Sequence, residues 1–477
     1  MRSSGFLAIL AMTSAAIAAP TYNQDIAPIL YQNCATCHRP GEVAPFSLLT
    51  YTDAAKRAGL IAQATAKRYM PPWKPEPGYG DFAHERRLTD AQIGLLRDWA
   101  AAGAPEGDGP QPPAPLFAKG WQGGEPDRIV KMPSSFNIPA DGPDQFQCFV
   151  LPTGLDKDVF VGAMEFRPGN PRVVHHALVF MDTSGQARKL AEANGGDSYP
   201  CFGGARVGIS GLLFGWAPGS PALPAEAGLS RVIPKGTDIV VQLHYHPSGK
   251  PETDQSQLGL TFAPAPTKGV ALAPMVNTGI YIPAGDPDYR VKSTMTIPQD
   301  ADLVALAPHA HYLGKEMKID AKLPDGSITH LLWIKDWDFN WQGQYRFKQA
   351  IHLPKGTQIE MEYSYDNSSA NPRNPSNPPK EVHWGEQTTD EMAVAFLALV
   401  LPKPEDVPAF QRAVQRQVLE MFISNIRDVN HLPEEIPPAL AKQLQAAIQI
   451  FDANHDGKLD DNERKALQQA VSLLLPR

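Results

Sequence analysis

Four short stretches of the chain carry side chains that bind transition metals. The six candidate ligands, five imidazoles and one thioether, are His175, His176, His244, His309, His311 and Met392. Imidazole suits copper, zinc, iron and nickel, whereas a thioether is soft and favours copper, especially Cu(I). A lone histidine or methionine is more often a core residue, but six ligands of matching softness favour a copper protein.

The spacing of these histidines predicts local geometry. Side chains at i and i+2 of a strand point to the same face, so His309 and His311 could hold one ion. His175 and His176 are adjacent, so in a regular strand they would face opposite ways. If both bind one ion, they must lie at a β-bulge or at a strand end.

In order along the chain, the motifs resemble those of the copper type II, ascorbate-dependent monooxygenases, the family of peptidylglycine and dopamine monooxygenases. The family pattern runs His-His, His-Tyr, His-x-His and Asp-Glu-Met, and this chain matches it at 175–176, 244–245, 309–311 and 390–392. The resemblance spans about residues 125–402, more than half of the chain.

The resemblance implies a role for each ligand. It implies an electron-relay copper held by His175, His176 and His244. It implies a second copper, which binds dioxygen, held by His309, His311 and Met392. The implied fold is two antiparallel, jelly-roll-like β-sandwiches, and the implied reaction inserts one oxygen atom of O2 into a C–H bond. The family uses only the first histidine of His244-Tyr245-His246, so we expect His246 to support the site rather than bind the ion.

The chain departs from the peptidylglycine enzymes at both residues that would hold a peptide carboxylate. Those enzymes carry an arginine two residues before His-x-His, where this chain has Ala307. They carry a tyrosine four residues after the ligand methionine, where this chain has Phe396. We therefore do not expect peptide amidation, and the sequence leaves the identity of the small organic substrate open.

A second cofactor motif, CxxCH, lies near the N-terminus. Cys34 and Cys37 would form thioethers with a c-type haem, and His38 would be its proximal ligand. A thioredoxin-like CxxC or half of a zinc site are alternatives, but no βαβ pattern surrounds the motif and no second CxxC follows. Met70 is the candidate sixth ligand, since a thioether ligand is typical of cytochromes c, and His84 is the alternative.

Helical signals around this motif predict a small α-helical cytochrome c domain over residues 19–107. One helix is predicted over Asn23–Gln32. Another is predicted to begin at Thr89-Asp90, an N-cap pair, and to end before Gly103. A linker rich in proline and glycine, 108–127, follows.

The N-terminus predicts export. Arg2 and the apolar stretch Phe6–Ile17 precede a small-residue cleavage pattern, which indicates a signal peptide over residues 1–18 and a periplasmic location. No later segment has the roughly 18 apolar residues that a membrane span needs. In an oxidising compartment Cys148 and Cys201 most often form a disulfide, although two buried thiols are an alternative.

The C-terminal tail, 403–477, contains a calcium-loop pattern. Helices are predicted over Glu405–Val429 and Ala439–Phe451, and the loop 452–463 reads D-x-N-x-D-G-x-L-D-x-x-E, as in an EF-hand. Its predicted oxygen ligands are Asp452, Asn454, Asp456, the Lys458 carbonyl, Asp460 and Glu463. The alternative is a calcium-free acidic loop.

Composition limits the partners. The chain has 43 basic and 51 acidic residues without a basic cluster, which argues against nucleic-acid binding. Its 47 prolines and 38 glycines, between short apolar runs, favour β-turns and strands over a helical protein. The two copper-domain sandwiches are predicted over 128–284 and 285–402.

These observations predict a multidomain, periplasmic copper-dependent monooxygenase. It would contain two copper ions, one haem c and calcium, and would hydroxylate an organic substrate with O2. Its electrons would come through its own haem from a periplasmic donor, or from ascorbate. The alternative is a non-catalytic copper and haem electron-transfer protein or redox sensor.

Overall fold

The computed structural model describes residues 19–117, 120–202, 204–207, 211–218, 220, 226–425, 445, 449–456 and 459–474. The predicted signal peptide lies outside these residues. The described chain forms two compact units: unit 1 runs to Pro72 and resumes over Arg86–Leu116, and unit 2 comprises Trp73–Glu85 and the residues from Phe117 onward. Among the described residues, no helix combines the length and the apolar content needed to cross a bilayer.

Unit 1 is helical. A π-helical turn over Tyr22–Ile26 is followed by α1 Ala27–Asn33, α2 Tyr51–Ala55, α3 Ala58–Ala66 and α4 Asp90–Ala101. Thr89 begins α4 with a capping box, in which its side chain and that of Gln92 each bond the other's backbone N–H. Leu96 and Trp99 are the fully buried residues of α4. The predicted start of this helix at Thr89-Asp90 and its end before Gly103 are confirmed.

Unit 2 is mostly β-sheet, and its first half is a sandwich. Its strands are β1 Arg128–Lys131, β2 Phe136–Ile138, β3 Gln145–Pro152, β4 Val159–Arg167, β5 Val174–Asp182, β6 Ser198–Pro200, β7 Leu212–Trp216, β8 Arg231–Ile233, β9 Asp238–Tyr245, β10 Glu252–Asp254 and β11 Gln257–Phe262. A five-stranded sheet (β6-β3-β9-β5-β7) packs against a four-stranded sheet (β1-β11-β4-β8), and β10 pairs with β2. Leu243 of β9 and Leu260 of β11 belong to one buried core, so it lies between the two sheets. Helix α5, Gln186–Ala193, follows β5.

The second half is another sandwich. Its strands are β12 Gly269–Val276, β13 Tyr281–Ile282, β14 Tyr289–Thr296, β15 Ala301–His309, β16 Gly314–Lys322, β17 Ile328–Ile334, β18 Tyr345–Leu353, β19 Gln358–Tyr365, β20 Val382–His383 and β21 Val394–Leu401. Sheets β12-β21-β15-β18 and β14-β19-β16-β17 enclose a core that includes Leu306, Leu397 and Met361. Helix α6, Val407–Asn425, adds Phe410, Val414 and Val418 to that core.

The predicted boundary between the two sandwiches at 284/285 is wrong. Strand β12 pairs with β21 along its whole length, from Gly269↔Leu401 to Val276↔Val394. It therefore belongs to the second sandwich, and the boundary falls between Phe262 and Gly269. The local sequence could not show this, because the pairing joins segments far apart in the chain.

Residues 73–85 also depart from the predicted division, since they belong to unit 2 rather than to the helical domain. The Glu76 N–H donates to the Trp333 carbonyl at 2.6 Å, and the Ala83 N–H donates to the Arg346 carbonyl at 2.8 Å. Phe82 is only 3% exposed and joins the core of the second sandwich. These backbone bonds and this anchor explain why the segment groups with the β-sheets.

Two further predictions concern cross-links and the tail. Cys148 and Cys201 form a disulfide with a Cα–Cα distance of 5.7 Å, which confirms the prediction.

The last described helix, α7, spans Asp461–Leu474. Most of the predicted helix 439–451, and the last residues of the predicted helix 405–429, lie outside the described residues.

Candidate functional site

The first histidine group lies on two neighbouring strands, β5 and β9. Val174 pairs with Tyr245, but the next pair is His176↔His244, so the register shifts by one residue. His175 is the additional residue of this β-bulge, which bends the strand locally and re-aims its side chain. The sequence predicted a β-bulge or a strand end if both adjacent histidines bind one ion, and the structure has the bulge.

The ring nitrogens of this group converge. The Nδ1 atom of His176 lies 3.3 Å from that of His175 and 3.2 Å from that of His244. One ligand atom from each of the three lies within 4.8 Å of the others, and among the described residues no other trio of histidine, cysteine, aspartate or glutamate side chains does so. We call this group the first triad.

Asp144 orients the first triad, and sequence reasoning missed it. Its Oδ2 lies 2.7 Å from His244 Nε2 and its Oδ1 lies 2.7 Å from His246 Nδ1. Burial opposes ionisation of Asp144, but the two imidazole hydrogen bonds hold the pKa of its carboxyl well below its usual range. A carboxylate only accepts, so His244 carries its proton on Nε2 and presents the Nδ1 lone pair to the triad.

The second group lies where β15 ends and β21 begins. His309 is the last residue of β15 and pairs with Val394 in the antiparallel ladder. His311 follows His309 by two residues, and Met392 precedes Val394 by two residues. The ring centroids of His309 and His311 are 5.2 Å apart. The backbone carbonyl of Met392 accepts a hydrogen bond from Tyr365 at 2.8 Å. We call His309, His311 and Met392 the second triad.

Both imidazoles of the second triad use Nδ1 for hydrogen bonds. His309 Nδ1 lies 2.5 Å from Gln342 Oε1, and His311 Nδ1 lies 3.1 Å from the Asp390 carbonyl oxygen. Since both partners are acceptors, each ring carries its proton on Nδ1 and leaves Nε2 as a lone-pair donor. Gln342 Nε2 is buried with no hydrogen-bond partner among the described residues.

Burial keeps four of these imidazoles neutral. It lowers the pKa of His175 to about 3 and that of His309 to about 4. It holds the pKa values of His176 and His311 well below the ordinary value. Neighbouring imidazoles lower the values further, because protonated rings would repel one another. The neutral form is the one that binds metals.

The two triads meet within unit 2. The ring centroids of His176 and His309 are 6.4 Å apart. Phe339 contacts both groups, with its centroid 4.8 Å from that of His175 and 5.6 Å from that of His311. The structure thus brings the five histidines into one continuous cluster.

A cavity of about 1100 Å³ opens beside this cluster. Four of the five histidines (all but His175) and Met392 line it. Most of the remaining wall is apolar and comes from both sandwiches, including Phe146, Leu213, Phe214, Trp216, Leu306 and Phe396. The cavity is large enough for an organic molecule.

The CxxCH motif lies in unit 1, directly after α1. The His38 N–H donates to the Cys34 carbonyl at 2.9 Å, and the Cys37 N–H donates to the same oxygen at 3.2 Å. His38 Nδ1 lies 3.2 Å from the Phe46 carbonyl, so Nε2 is the ring nitrogen that could bind a metal. Met70 lies in the same unit, whereas His84 is exposed and belongs to unit 2.

The final glutamate of the calcium-loop pattern, Glu463, accepts hydrogen bonds from backbone N–H groups of the loop. Glu463 Oε1 accepts the Ala453 N–H at 2.9 Å, and Oε2 accepts the Asp460 N–H at 2.8 Å. Asp452 Oδ1 accepts the Asp456 N–H at 3.2 Å. Gly457 and the predicted ligand Lys458 lie outside the described residues.

Comparisons with known proteins do not assign this chain to a family. No family model and no curated protein matches the chain. Among solved structures, the chain is similar to the major capsid protein P2 from bacteriophage PM2, at 8% identity and a TM-score of 0.26, over 57% of this chain and 96% of that one. It is also similar to PNGF-II, at 12% identity and a TM-score of 0.21, over 57% and 60% respectively. Both similarities are too low to carry an argument.

Proposed function

We propose that this protein is an exported, periplasmic copper-dependent monooxygenase that hydroxylates a C–H bond of an organic substrate with O2. One observation carries the proposal. Five histidines from separate parts of the sequence come together as two adjacent groups, and Met392 lines the same cavity of about 1100 Å³ as four of them. Their order along the chain is the order of the copper type II monooxygenase motifs.

The donor sets fit copper. The first triad offers three imidazole nitrogens, and the second would combine two imidazoles with the Met392 thioether, a soft ligand that favours Cu(I). Copper bound at these positions would supply the one-electron chemistry that places one atom of dioxygen in a C–H bond and reduces the other to water.

The side chains around the triads position the ligands. Asp144, Gln342 and the Asp390 carbonyl accept hydrogen bonds from the rings of His244, His309 and His311, respectively. These bonds fix which nitrogen of each ring faces the site. The apolar cavity wall would exclude water from the reacting centre. An electron-transfer protein has no need of such a cavity, so the cavity favours the enzyme over the non-catalytic alternative.

Haem c and calcium complete the proposal. Cys34, Cys37 and His38 would hold the haem, with Met70 as the sixth ligand. The haem would accept electrons from a periplasmic donor and deliver them to the β-sandwich unit, in place of or beside ascorbate. Calcium in the loop 452–463 would stabilise the tail.

The test is oxygen uptake coupled to product formation. The metal-loaded protein, with reductant, is screened against organic substrates that contain activated C–H bonds. We expect O2 consumption with one hydroxylated product per O2, lost in Met392→Ala and retained in the control His352→Ala, an exposed histidine paired with Asp302. Reversible reduction and oxidation without substrate-dependent O2 uptake would instead establish the electron-transfer alternative.

The haem route has its own measurement. In stopped-flow experiments, protein with reduced haem and oxidised copper should reoxidise its haem at least as fast as the enzyme turns over. A slower haem step would exclude this route and leave ascorbate or another direct donor.

A further inference from the structure

Arg231 is a charged side chain on the cavity wall that has no counterion among the described residues. Arg231 begins β8, the edge strand of its sheet, where it pairs with Val161. Its Nη1 donates to the Leu212 carbonyl at 2.9 Å, and no ion pair joins its guanidinium to a carboxylate of the described residues. Arg231 lines the same cavity as the second triad.

The surroundings of Arg231 are unfavourable for a charge. Burial lowers the pKa of its guanidinium to about 10, so the group is still cationic at neutral pH. A largely desolvated charge without an anionic partner costs free energy that a bound anion would offset. Arg346 provides the contrast, because this second cavity arginine is already paired with Glu226.

The remaining walls restrict where an anion could bind. Ala307 and Phe396, which replace the two carboxylate anchors of the peptidylglycine enzymes, line the cavity as apolar residues. Leu213, Phe214 and Trp216 of β7 contribute further apolar surface. A ligand that fits these walls has an apolar body and a single anionic group.

We propose that Arg231 is the anion-binding residue of this cavity and that the substrate is an organic carboxylate with an apolar body. The planar guanidinium matches a carboxylate through two parallel hydrogen bonds. The apolar body would lie in the part of the cavity that the second triad lines. The identity of this ligand as a substrate rests on the proposed monooxygenase function, but its binding does not.

Binding is tested on the full-length holoprotein by calorimetric titration with octanoate and with 1-octanol, which share the apolar chain and differ in charge. Wild-type protein should bind octanoate about tenfold or more tightly than 1-octanol, as expected for a charge-assisted hydrogen bond in a buried site. In Arg231→Gln, which can still donate to the Leu212 carbonyl, the preference should disappear. Arg231→Lys should retain part of it.

The matched control is Arg290→Gln, an arginine that pairs with Asp288 and does not line the cavity, so this variant should leave both affinities unchanged. Equal affinity for octanoate and 1-octanol in the wild-type protein, or binding of neither, would overturn the proposal without any variant. So would a preference that survives in Arg231→Gln. Because the titration needs no turnover, the two proposals can fail separately. If the protein binds octanoate in this way but shows no O2 uptake with any screened substrate, the oxygenase is refuted and the anion site stands.

Discussion

The imidazole rings of His176 and His309 lie 6.4 Å apart, centroid to centroid, although they belong to different β-sandwiches. His176 is held by the ladder between β5 and β9, and His309 by the ladder between β15 and β21. The candidate site is therefore shared by the two sandwiches, and neither could form it alone.

Replacing Asp144 by asparagine should weaken metal binding at the first triad about 10- to 100-fold, because His244 loses the carboxylate that fixes its proton on Nε2. Copper affinity is measured by competition with a chelator of known affinity. The control is Asp302→Asn, which removes a carboxylate that bonds the exposed His352. An affinity unchanged in Asp144→Asn would show that His244 does not need this partner.

Metal-free protein should lose stability as the pH falls from 7 to 5. A histidine whose folded pKa lies below its unfolded value, as for His175 and His309, contributes stability above about pH 6.5 that is lost as the pH falls toward the folded value. Each of these two histidines should lower the free energy of unfolding by about 2 kcal/mol at pH 5. The pKa of His246 is raised, so its protonation should instead add stability as the pH falls. Its side chain is 62% exposed, so solvent screening makes this gain in stability small.

Urea unfolding of chelator-treated protein at the two pH values measures this loss. His309→Gln should lose less stability between pH 7 and pH 5 than the wild-type protein does. The same loss in both would assign the acid sensitivity to other groups.

Opening the disulfide should destabilise the first sandwich. Cys148 and Cys201 are separated by 53 positions. Closing a loop of that size lowers the entropy of the unfolded chain and so raises its free energy by about 4 kcal/mol. A reductant should therefore lower the thermal midpoint of the wild-type protein but not that of the double variant Cys148→Ala/Cys201→Ala. A reductant-insensitive midpoint with both thiols demonstrably free would contradict this expectation.

The sixth haem ligand should be Met70. Met70→Ala should change the visible spectrum of the haem and lower its reduction potential, because a thioether ligand raises that potential. His84→Ala should leave both unchanged, since His84 is an exposed residue of the other unit. A spectrum altered only in His84→Ala would reverse the assignment.

Glu463→Gln should reduce calcium affinity at the loop 452–463, because Glu463 is the predicted bidentate ligand. Terbium luminescence and its displacement by calcium provide the measurement. The matched control is Glu420→Gln on α6, a glutamate paired with Arg416 outside the loop. Equal terbium affinity in Glu463→Gln and wild type would identify the loop as calcium-free.

Local patterns predicted much of the fold and the site. Adjacent histidines indicated a β-bulge or a strand end at 175–176, and the Thr89 cap indicated α4, because both signals depend on neighbouring residues. Asp144 and Arg231 could not be found in this way. Each is a single charged residue whose role depends on its long-range partner or on the cavity that it lines.

Strand β21 lies between β12 and β15 in its sheet and is hydrogen-bonded to both, so the start of the strand, next to Met392, is held from two sides. The ligands of the second triad are thus preorganised by the sheet. Binding of an ion would consume little free energy in ordering the chain, and the apoprotein should keep the same backbone as the loaded protein.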